Sequence, residues 1–553
     1  MNLIKLISDL KEHIKRAIMK CQADLGVGFK ISEINLEIPE QKIHGDISTN
    51  AALEFSKLFR VKPLVIASSI VQNFDKLNYI ERIEIAQPGF INFFLDKKFF
   101  FEVLREIDDN FENYGRMPKK NKQILVEFVS ANPTGPMHVG NARLGVLGDS
   151  LSEVLKFAGF EVYKEFYVND AGNQIEKFAD SLIARYLQIF DSSIEFPEDG
   201  YQGDYIKQIA EEFKNIYGDK YSVCSRKILQ DKILDFALPE SINKMKNTLS
   251  SYKINYDNWF YESSLYESGE ITSVLKKFKE KNATYTKDNA VWFKATDFGA
   301  QKDEVLVRNN GIPTYFAADI AYHVNKFLVR KFDICINFLG ADHQGHIPRM
   351  HAAMKCLGVD SSRLIFIIVQ FVRIIKKHQI FVMSKREGKI ETLEDFINQM
   401  SVDCSRFIFN MQTANSAMDF DISAVVKNDS NNPSYYVKYA CVRIQSILRQ
   451  FDRIPERENI DFELLNSEIE RELMLEVARF PVIVEESVNL LDSTRLARYV
   501  VNLAAIFHKF YNTNKVKNDD YSLSNARYFL CLQILRVIKI VLKILKIDIP
   551  RKM

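Results

Sequence analysis

The stretch that most constrains the fold runs from Ile124 to Ala158. Residues Ile124 to Val129 read ILVEFV, a short apolar segment with one charged residue. That is the pattern of a strand buried on both faces of a parallel sheet. It leads into Pro133, Gly135 and Pro136, which interrupt regular structure, and then into a helical pattern over Asn141 to Ala158. Strand, tight turn and helix open a βαβ unit. Two more apolar strands are expected at Asp333 to Leu339 and Arg363 to Val369, each followed by helical or loop sequence. The alternation predicts an α/β fold built on a parallel sheet.

The flanks read differently. The N-terminal MNLIKLISDLKEHIKRAI repeats Leu3, Leu6, Leu10, Ile14 and Ile18 at helical spacing, and Lys5, Asp9, Lys11 and Glu12 break any apolar run, so no signal peptide is expected. Ile80 to Leu95 alternates like a strand pair around Gln87-Pro88-Gly89. A polar break at Gly115 to Lys122 marks a boundary. Residues 175–290 read as Lys- and Glu-rich amphipathic helices interrupting the sheet. After a polar linker at Lys427 to Pro433 the pattern is helical to the end. Three domains are expected: 1–115, of mixed α+β character; 116–433, carrying the sheet; and 434–553, all helical.

With 553 residues, 47% apolar and 26% charged, the chain is neither disordered nor of low complexity. The net charge of +2 points to no partner, but its distribution does. Ser493 to Met553 holds 12 Lys and Arg against 3 Asp and Glu, a local +9 on a body of −7. A basic end suggests a polyanion. Seven Cys with no CxxC suggest neither a disulfide framework nor a thiolate zinc site, and fit reduced thiols in the cytoplasm. No run of 18 uncharged apolar residues occurs, so no membrane partner is expected.

Four segments carry candidate chemistry. The first is Ser130-Ala131-Asn132-Pro133-Thr134-Gly135-Pro136-Met137-His138-Val139-Gly140-Asn141, where a buried strand hands over to a helix. Ligands in open α/β sheets bind at carboxyl strand ends, and a helix start offers free N–H groups to an anion. Gly140 would allow close approach to the backbone, and His138 could donate to a phosphate. The spacing is neither a P-loop nor a dinucleotide fingerprint. The plain alternative is a helix cap with a structural His. The second is the basic loop Val382 to Lys389, in which Lys385 could be a point charge on a phosphate, or simply part of a solvated loop. The third, Gly340 to His346 with His351 beyond, could place Asp342 or His343 on a nucleotide sugar or substrate; a metal cluster is the weaker alternative, because no zinc spacing is matched. The fourth places Tyr315 and Asp319 four apart on a helix, a carboxylate beside a ring that suits a cation, or else a capped helix with a core Tyr.

Taken together these segments resemble the class I aminoacyl-tRNA synthetases, and within them the arginyl-tRNA synthetases. The similar stretches are VEFVSANPTGPMHVGNAR, EFYVNDAGNQI, VWFKATDFGAQKDEVLVR, PTYFAADIAYH, FLGADHQGH, VMSKREGK and NNPSYYVKYACVRI, with HGDISTNAAL near the start and the terminal Pro550-Arg551-Lys552-Met553. Two departures stand out. Asn141 replaces the second His of His-x-Gly-His, and the Met-Ser-Lys loop at 382–386 begins with Val382 and ends with Arg386.

The resemblance implies a Rossmann-like catalytic domain at 116–433 with a helical insertion at about 175–290 and the His-x-Gly motif at 131–141. It implies an N-terminal tRNA-contacting domain at 1–115 and a helical anticodon-binding domain at 434–553. The implied reaction joins L-arginine to its tRNA through an arginyl-adenylate, with ATP as substrate, Mg²⁺ on the nucleotide, and a cytoplasmic monomer as the enzyme. His138, Asn141 and Lys385 are the expected catalytic donors. ATP would contact Pro133, Thr134, Gly135, His138, Gly140, Asn141, Asp342, Met383, Ser384 and Lys385. Arginine would contact Ser130, Asn132, Tyr315, Asp319 and His343. Transfer RNA would contact Tyr435, Tyr436, Tyr439, Arg443, Arg536 and Lys539. A class I synthetase for another amino acid, a metal-dependent hydrolase and a non-catalytic tRNA-binding relative are the competing readings.

Overall fold

The computed structural model describes residues 2–39, 41–376, 379–381, 392–425, 429 and 431–550. Five parallel strands form the central sheet, in the spatial order Leu364–Val369, Ile334–Gly340, Gln123–Glu127, Glu161–Val168, Asn258–Tyr261. The strand that comes first in the chain lies in the middle, and the order reverses beside it. The crevice outside the carboxyl ends of Gln123–Glu127 and Ile334–Gly340 is therefore the topological switch point, where such sheets bind ligands. The helix Val139–Phe157 packs across the sheet, burying Val139, Val146, Leu151 and Leu155.

The expected insertion is only partly helical. Asn173–Gln188, Asp204–Tyr217 and Arg226–Ser251 are helices sharing a small core of Phe178, Tyr186, Phe213 and Ile233. Residues 258–261 (NWFY), however, form the edge strand of the central sheet, and Thr284–Lys287 pairs with Ala290–Phe293 in a separate antiparallel sheet. Four aromatic-rich residues at a sheet edge are too few to display a period of two, so the helical composition around them masked the strand.

The N-terminal part is a three-stranded antiparallel sheet, ordered Ile47–Thr49, Phe90–Leu95, Ile80–Ala86, packed with helices. Its first helix, Leu3–Leu25, is capped by the Asn2 side chain and ends at Gly26, whose φ of 63° suits a residue without Cβ. Leu3, Leu6, Leu10, Ile14 and Ile18 are fully buried, as their spacing predicts. At the other end, helices Pro433–Leu448, Glu468–Asn489, Thr494–Thr513 and Tyr521–Ile544 form a bundle. The two ends of the chain share one continuous core, in which Leu3, Phe93 and Phe100 belong with Val477, Leu503 and Ile538. Polar ties cross the same boundary: Tyr114 donates to the Val477 carbonyl at 3.0 Å, and Arg471 pairs with Asp46 at 2.5 Å. No helix among the described residues is long and apolar enough to cross a membrane.

Candidate functional site

The central strand ends in a sharp turn. Val129 has φ 70° and Ser130 φ 40°, and the Ser130 N–H donates to the Phe128 carbonyl two residues back at 3.0 Å. A hydrogen bond of that span around a β-branched residue at positive φ is a strained γ-turn, the kind of backbone that persists only where the surroundings hold it. They do so here through Ser130. Its hydroxyl donates to Glu127 Oε1 at 3.0 Å and accepts from the Tyr167 N–H at 3.1 Å. Asn132 donates to Gln174 at the start of the first insertion helix. Pro133 and Thr134 are buried, and the Thr134 carbonyl accepts from the Tyr205 hydroxyl of the second insertion helix at 2.8 Å. A Cβ on Gly135 would lie 3.0 Å from that hydroxyl, so the turn and the insertion meet closely at this point.

His138 is the N-cap of the helix that follows. Its Nδ1 accepts from the Gly140 N–H at 3.1 Å, and the Asn141 Oδ1 accepts from the His138 N–H at 3.0 Å, a reciprocal capping arrangement. With Nδ1 accepting, the ring's proton belongs on Nε2, which makes His138 a donor in its neutral form. Asn141 commits its carbonyl oxygen to the cap, so its amide is the group able to donate. A Cβ at position 140 would lie 2.9 Å from His138 Cε1, so a larger residue there would push the imidazole out of this position.

Residues more than 200 positions downstream reach the same turn. His138 forms an antiparallel bridge with Thr392, and the Leu393 N–H donates to the Met137 carbonyl at 2.8 Å. Arg143, fully buried, donates to the carbonyls of Gln370, Thr413 and Ser416 at 2.8–2.9 Å. Burial without a carboxylate partner pulls its pKa down to about 10. Met383, Ser384 and Lys385, with the rest of the 382–386 loop, lie outside the described residues. Thr392, one residue beyond that undescribed segment, is therefore seated against His138.

Beside the strand end, acidic side chains converge from four elements. Glu127 ends the central strand, Asp170 follows Glu161–Val168, Glu262 follows Asn258–Tyr261, and Asp319 lies on the helix Tyr315–Val324. Burial pushes the Asp319 carboxyl well above its ordinary pKa, and the charges of Glu262 and Glu127 add to the effect. Burial likewise raises Glu262 to about 7, assisted by Asp170 and opposed by the neighbouring Tyr167 and Tyr266. His346 Nε2 lies 3.4 Å from Asp319 Oδ2, yet burial holds that imidazole down to about 4, so it is neutral and does not cancel the charge. The site thus gathers more carboxyl groups than its own cations pair with, in surroundings where their charged form is costly until a cation joins them.

The expected residues are distributed as follows. Ser130, Asn132, His138, Gly140, Asn141 and the Pro133-Thr134-Gly135 turn lie along the switch-point edge. Asp319 is in the acidic pocket. Tyr315, expected to share its face, is 63% exposed, and the rings that border the carboxylates are Tyr167 and Tyr266. Asp342 and His343 lie 3.5 Å apart in a turn after Ile334–Gly340, both largely exposed. His351 is taken by the Leu364 carbonyl at 3.1 Å, a structural contact. Glu127, Asp170, Glu262, Tyr167, Tyr266 and His346 were not singled out as pocket residues from the sequence. Two of the acids, Asp170 and Glu262, follow strand ends within two residues, and Glu127 ends its strand, which is a signal the sequence carries.

A second candidate surface lies on the C-terminal bundle. Tyr435 and Tyr439 stack with centroids 6.0 Å apart and planes 9° from parallel. Arg443 donates to the Tyr439 hydroxyl at 2.6 Å and lies over the rings of Tyr439 and Tyr511, 4.4 Å from each centroid. Tyr436 packs on His508 at 4.6 Å. Lys539 is half-buried. Arg536 is committed elsewhere: its guanidinium pairs with Asp108 of the N-terminal part.

Comparison with known proteins agrees along the whole length. Residues 8–95 match a model described as arginyl tRNA synthetase N terminal domain, 106–449 one described as tRNA synthetases class I (R), catalytic domain, and 437–553 one described as DALR anticodon binding domain. An arginine–tRNA ligase of Caldanaerobacter subterraneus is 44% identical over 99% of this chain and 99% of its own. One of Acetivibrio thermocellus is 44% identical over the full length of both. Among solved structures, a putative arginyl-tRNA synthetase of Campylobacter jejuni superposes with a TM-score of 0.75 at 32% identity, covering 83% of this chain and 100% of that one. The Thermus thermophilus arginyl-tRNA synthetase, at 20% identity, shares the fold over 99% of this chain and 100% of that one with a TM-score of 0.77.

Proposed function

The chain belongs to the arginyl-tRNA synthetase family, and from that premise we propose that it joins L-arginine to its cognate tRNA at the expense of ATP. The observation that carries this reading is the cluster of carboxyl groups of Asp319, Glu262 and Glu127, of which only Glu127 has a cation of its own among the described residues, beside the capped helix start at His138. The pocket suits a guanidinium, and the helix start suits a phosphate. One strand end thus presents both halves of an aminoacyl-adenylate.

In the first step the arginine carboxylate attacks the α-phosphorus of ATP, and pyrophosphate leaves. In the second, a hydroxyl of the tRNA's terminal ribose attacks the arginyl carbonyl, and AMP leaves. The nucleophile is the substrate's own carboxylate, so catalysis is orientation plus stabilisation of charge at phosphorus. His138 Nε2–H and the Asn141 amide donate to phosphate oxygens, with Lys385 as a point charge on the same phosphates. The Pro133-Thr134-Gly135 turn and Gly140 give the nucleotide close backbone contact, Met383 and Ser384 border it, and Asp342 takes its ribose. Ser130 and Asn132 take arginine's α-amino end, with His343 as a further contact. Mg²⁺ would come with the nucleotide phosphates: among the described residues no three His, Cys, Asp or Glu side chains converge as a metal site.

Residues 434–553 would read the anticodon through Tyr435, Tyr439 and Arg443, whose stacked rings and overlying guanidinium suit unpaired bases. Residues 1–115 would touch the tRNA elbow, and the enzyme would act as a cytoplasmic monomer. The test is charging of total tRNA by the purified chain with a panel of amino acids. Arginine alone should be attached, with lysine, citrulline and ornithine inactive. Better charging by any other amino acid would overturn the assignment.

A further inference from the structure

The helix Tyr315–Val324 continues into a π-helical turn, Asn325–Val329. Such turns cluster at functional sites because the wider winding re-aims side chains. Here the turn brings Lys326, and Arg330 just beyond it, against two adjacent strands of the sheet. Glu127 and Glu165 are register partners on those strands, so two buried carboxylates stand side by side. Each takes its own cation. Arg330 forks onto both oxygens of Glu165, which also accepts the Tyr322 hydroxyl at 2.7 Å. Lys326 Nζ lies 2.6 Å from Glu127 Oε2 and 2.8 Å from Asn337 Oδ1, with its ammonium 3.9 Å from the centroid of the Tyr322 ring. Lys326 is 0% exposed.

The two pairs differ in what lies on the far side. The Glu165 side chain is 1% exposed and closed in by its partners. Glu127 is 11% exposed; its other oxygen accepts the hydroxyl of Ser130, the strained residue of the strand-end turn, and its charge is felt by Asp319. Lys326 therefore grips the inner oxygen of a carboxylate whose outer oxygen belongs to the pocket.

We propose that Lys326 is a positioning residue for amino-acid recognition: it fixes Glu127 from within the sheet and offsets one of the three like charges that meet the guanidinium. This rests on the reading that the pocket takes arginine with Glu127 among its partners. An ammonium suits the task, because one of its donors serves Glu127 and another Asn337, leaving no fork that would compete for the pocket side.

A structural counter-ion would also be costly to remove, since deleting one partner of a buried pair is destabilising whatever its role. The control is therefore Arg330→Gln, which breaks the neighbouring pair. Thermal unfolding and arginine-dependent ATP–pyrophosphate exchange, with tRNA present, should be measured for Lys326→Met, Lys326→Gln, Glu127→Gln and Arg330→Gln. The amide of Lys326→Gln retains N–H donors without the charge, which keeps a folded variant in hand. Lys326→Met and Lys326→Gln should raise the arginine KM about tenfold or more, the worth of one hydrogen bond to a charged group, with kcat and the ATP KM within about threefold. Arg330→Gln should lower the Tm comparably and leave the arginine KM within twofold. An arginine KM in the Lys326 variants no higher than in Arg330→Gln would overturn the proposal. Failure of the underlying reading looks different: a wild-type arginine KM in Glu127→Gln would remove Glu127 from the pocket.

Discussion

Charge is handled in opposite ways at the two ends of the catalytic problem. The last helix, Tyr521–Ile544, and the residues after it carry much of the chain's local excess of cations, yet several are already committed inside the protein. Arg527 pairs with Glu470 at 2.7 Å, Arg536 with Asp108, and Lys546 with Asp149 at 2.7 Å. The strand-end pocket has the reverse arrangement. Asp319 and Glu262 sit where burial raises both carboxyl pKa values, beside an imidazole held neutral. A count along the chain finds where the charges are, but only the folded structure says which remain after the protein has paired its own. The residual charges are the ones a ligand can use. The basic end is in large part an internal fastening, and the acidic pocket that no charge count revealed is the feature left in want of a cation.

The largest test of this contrast is at Asp149. Its carboxylate is fully buried, 2.7 Å from Arg406, 2.7 Å from Lys546 and 3.1 Å from Lys164. Burial alone would raise its pKa, but the three cations hold it below the ordinary carboxylate value. Asp149→Asn should cost about 3–5 kcal/mol of stability by leaving buried cations uncompensated. Because the folded pKa is depressed, the wild-type contribution is present above about pH 4 and is lost as the pH falls through the folded value. Denaturant unfolding at pH 7 measures it. A loss below about 1 kcal/mol would mean that the cluster is not the fastening described.

Asp319→Asn should behave as the mirror image. Its removal relieves repulsion, so the unfolding midpoint should stay level or rise. The arginine KM should increase about 10–100-fold through loss of a charge-assisted pair. Steady-state exchange kinetics and a melting curve on the same sample test both halves. A variant that melts early with an unchanged KM would exchange the roles of the two aspartates and break the comparison.

What the sequence displays and what it hides follows the same division. The strand Ile124–Val129, the turn and the helix after it were legible because burial on both faces and helical period are local properties. The strand stops at Glu127, two residues early, because Val129 and Ser130 take positive φ, which no composition rule assigns to Val. Glu127 read as a blemish in an apolar run, whereas it is the strand's contribution to the pocket. Glu262 passed unnoticed because its environment is made by Asp170, Tyr167 and Tyr266, brought together only by the sheet order. The pairing of Arg536 with Asp108, 428 positions apart, is equally invisible in the sequence. The shared core also makes point variants rather than truncation the proper probe of the C-terminal bundle, because a chain cut near Asn432 would uncover Phe100, on which Arg471 lies, and Phe101, which stacks on Phe462.

A smaller effect should appear in the pH dependence of recognition. Burial and the neighbouring Asp170 raise the Glu262 carboxyl to about 7. Its protonated form cannot pair with a guanidinium. The arginine KM should therefore rise as the pH falls below 7, by up to about tenfold per unit if one proton must be lost on binding. In Glu262→Gln the KM should be higher at pH 8 and flatter with pH. A profile identical to wild type in that variant would assign the titration to another group.

The least disruptive pair of substitutions tests the basic end directly. Arg443 and Arg536 are both cations of the C-terminal bundle, but only Arg536 has a carboxylate partner among the described residues, Asp108. Arg443 is held by aromatic faces and by the Tyr439 hydroxyl, contacts that orient a guanidinium without cancelling its charge. Arg443→Ala should therefore weaken tRNA binding and, because its charge has no carboxylate partner among the described residues and also meets the polyanion beside the stacked bases, make the salt dependence shallower by up to about 0.7–0.9 log units per log unit of salt. Arg536→Ala should leave affinity and slope unchanged and lower stability instead, since its guanidinium is already spent on Asp108 within the protein. Filter binding across a salt series separates the two. If Arg536→Ala flattened the slope and Arg443→Ala did not, internal pairing would not be what decides which cations meet RNA. The +9 count along the chain would then have been the better guide to the interface.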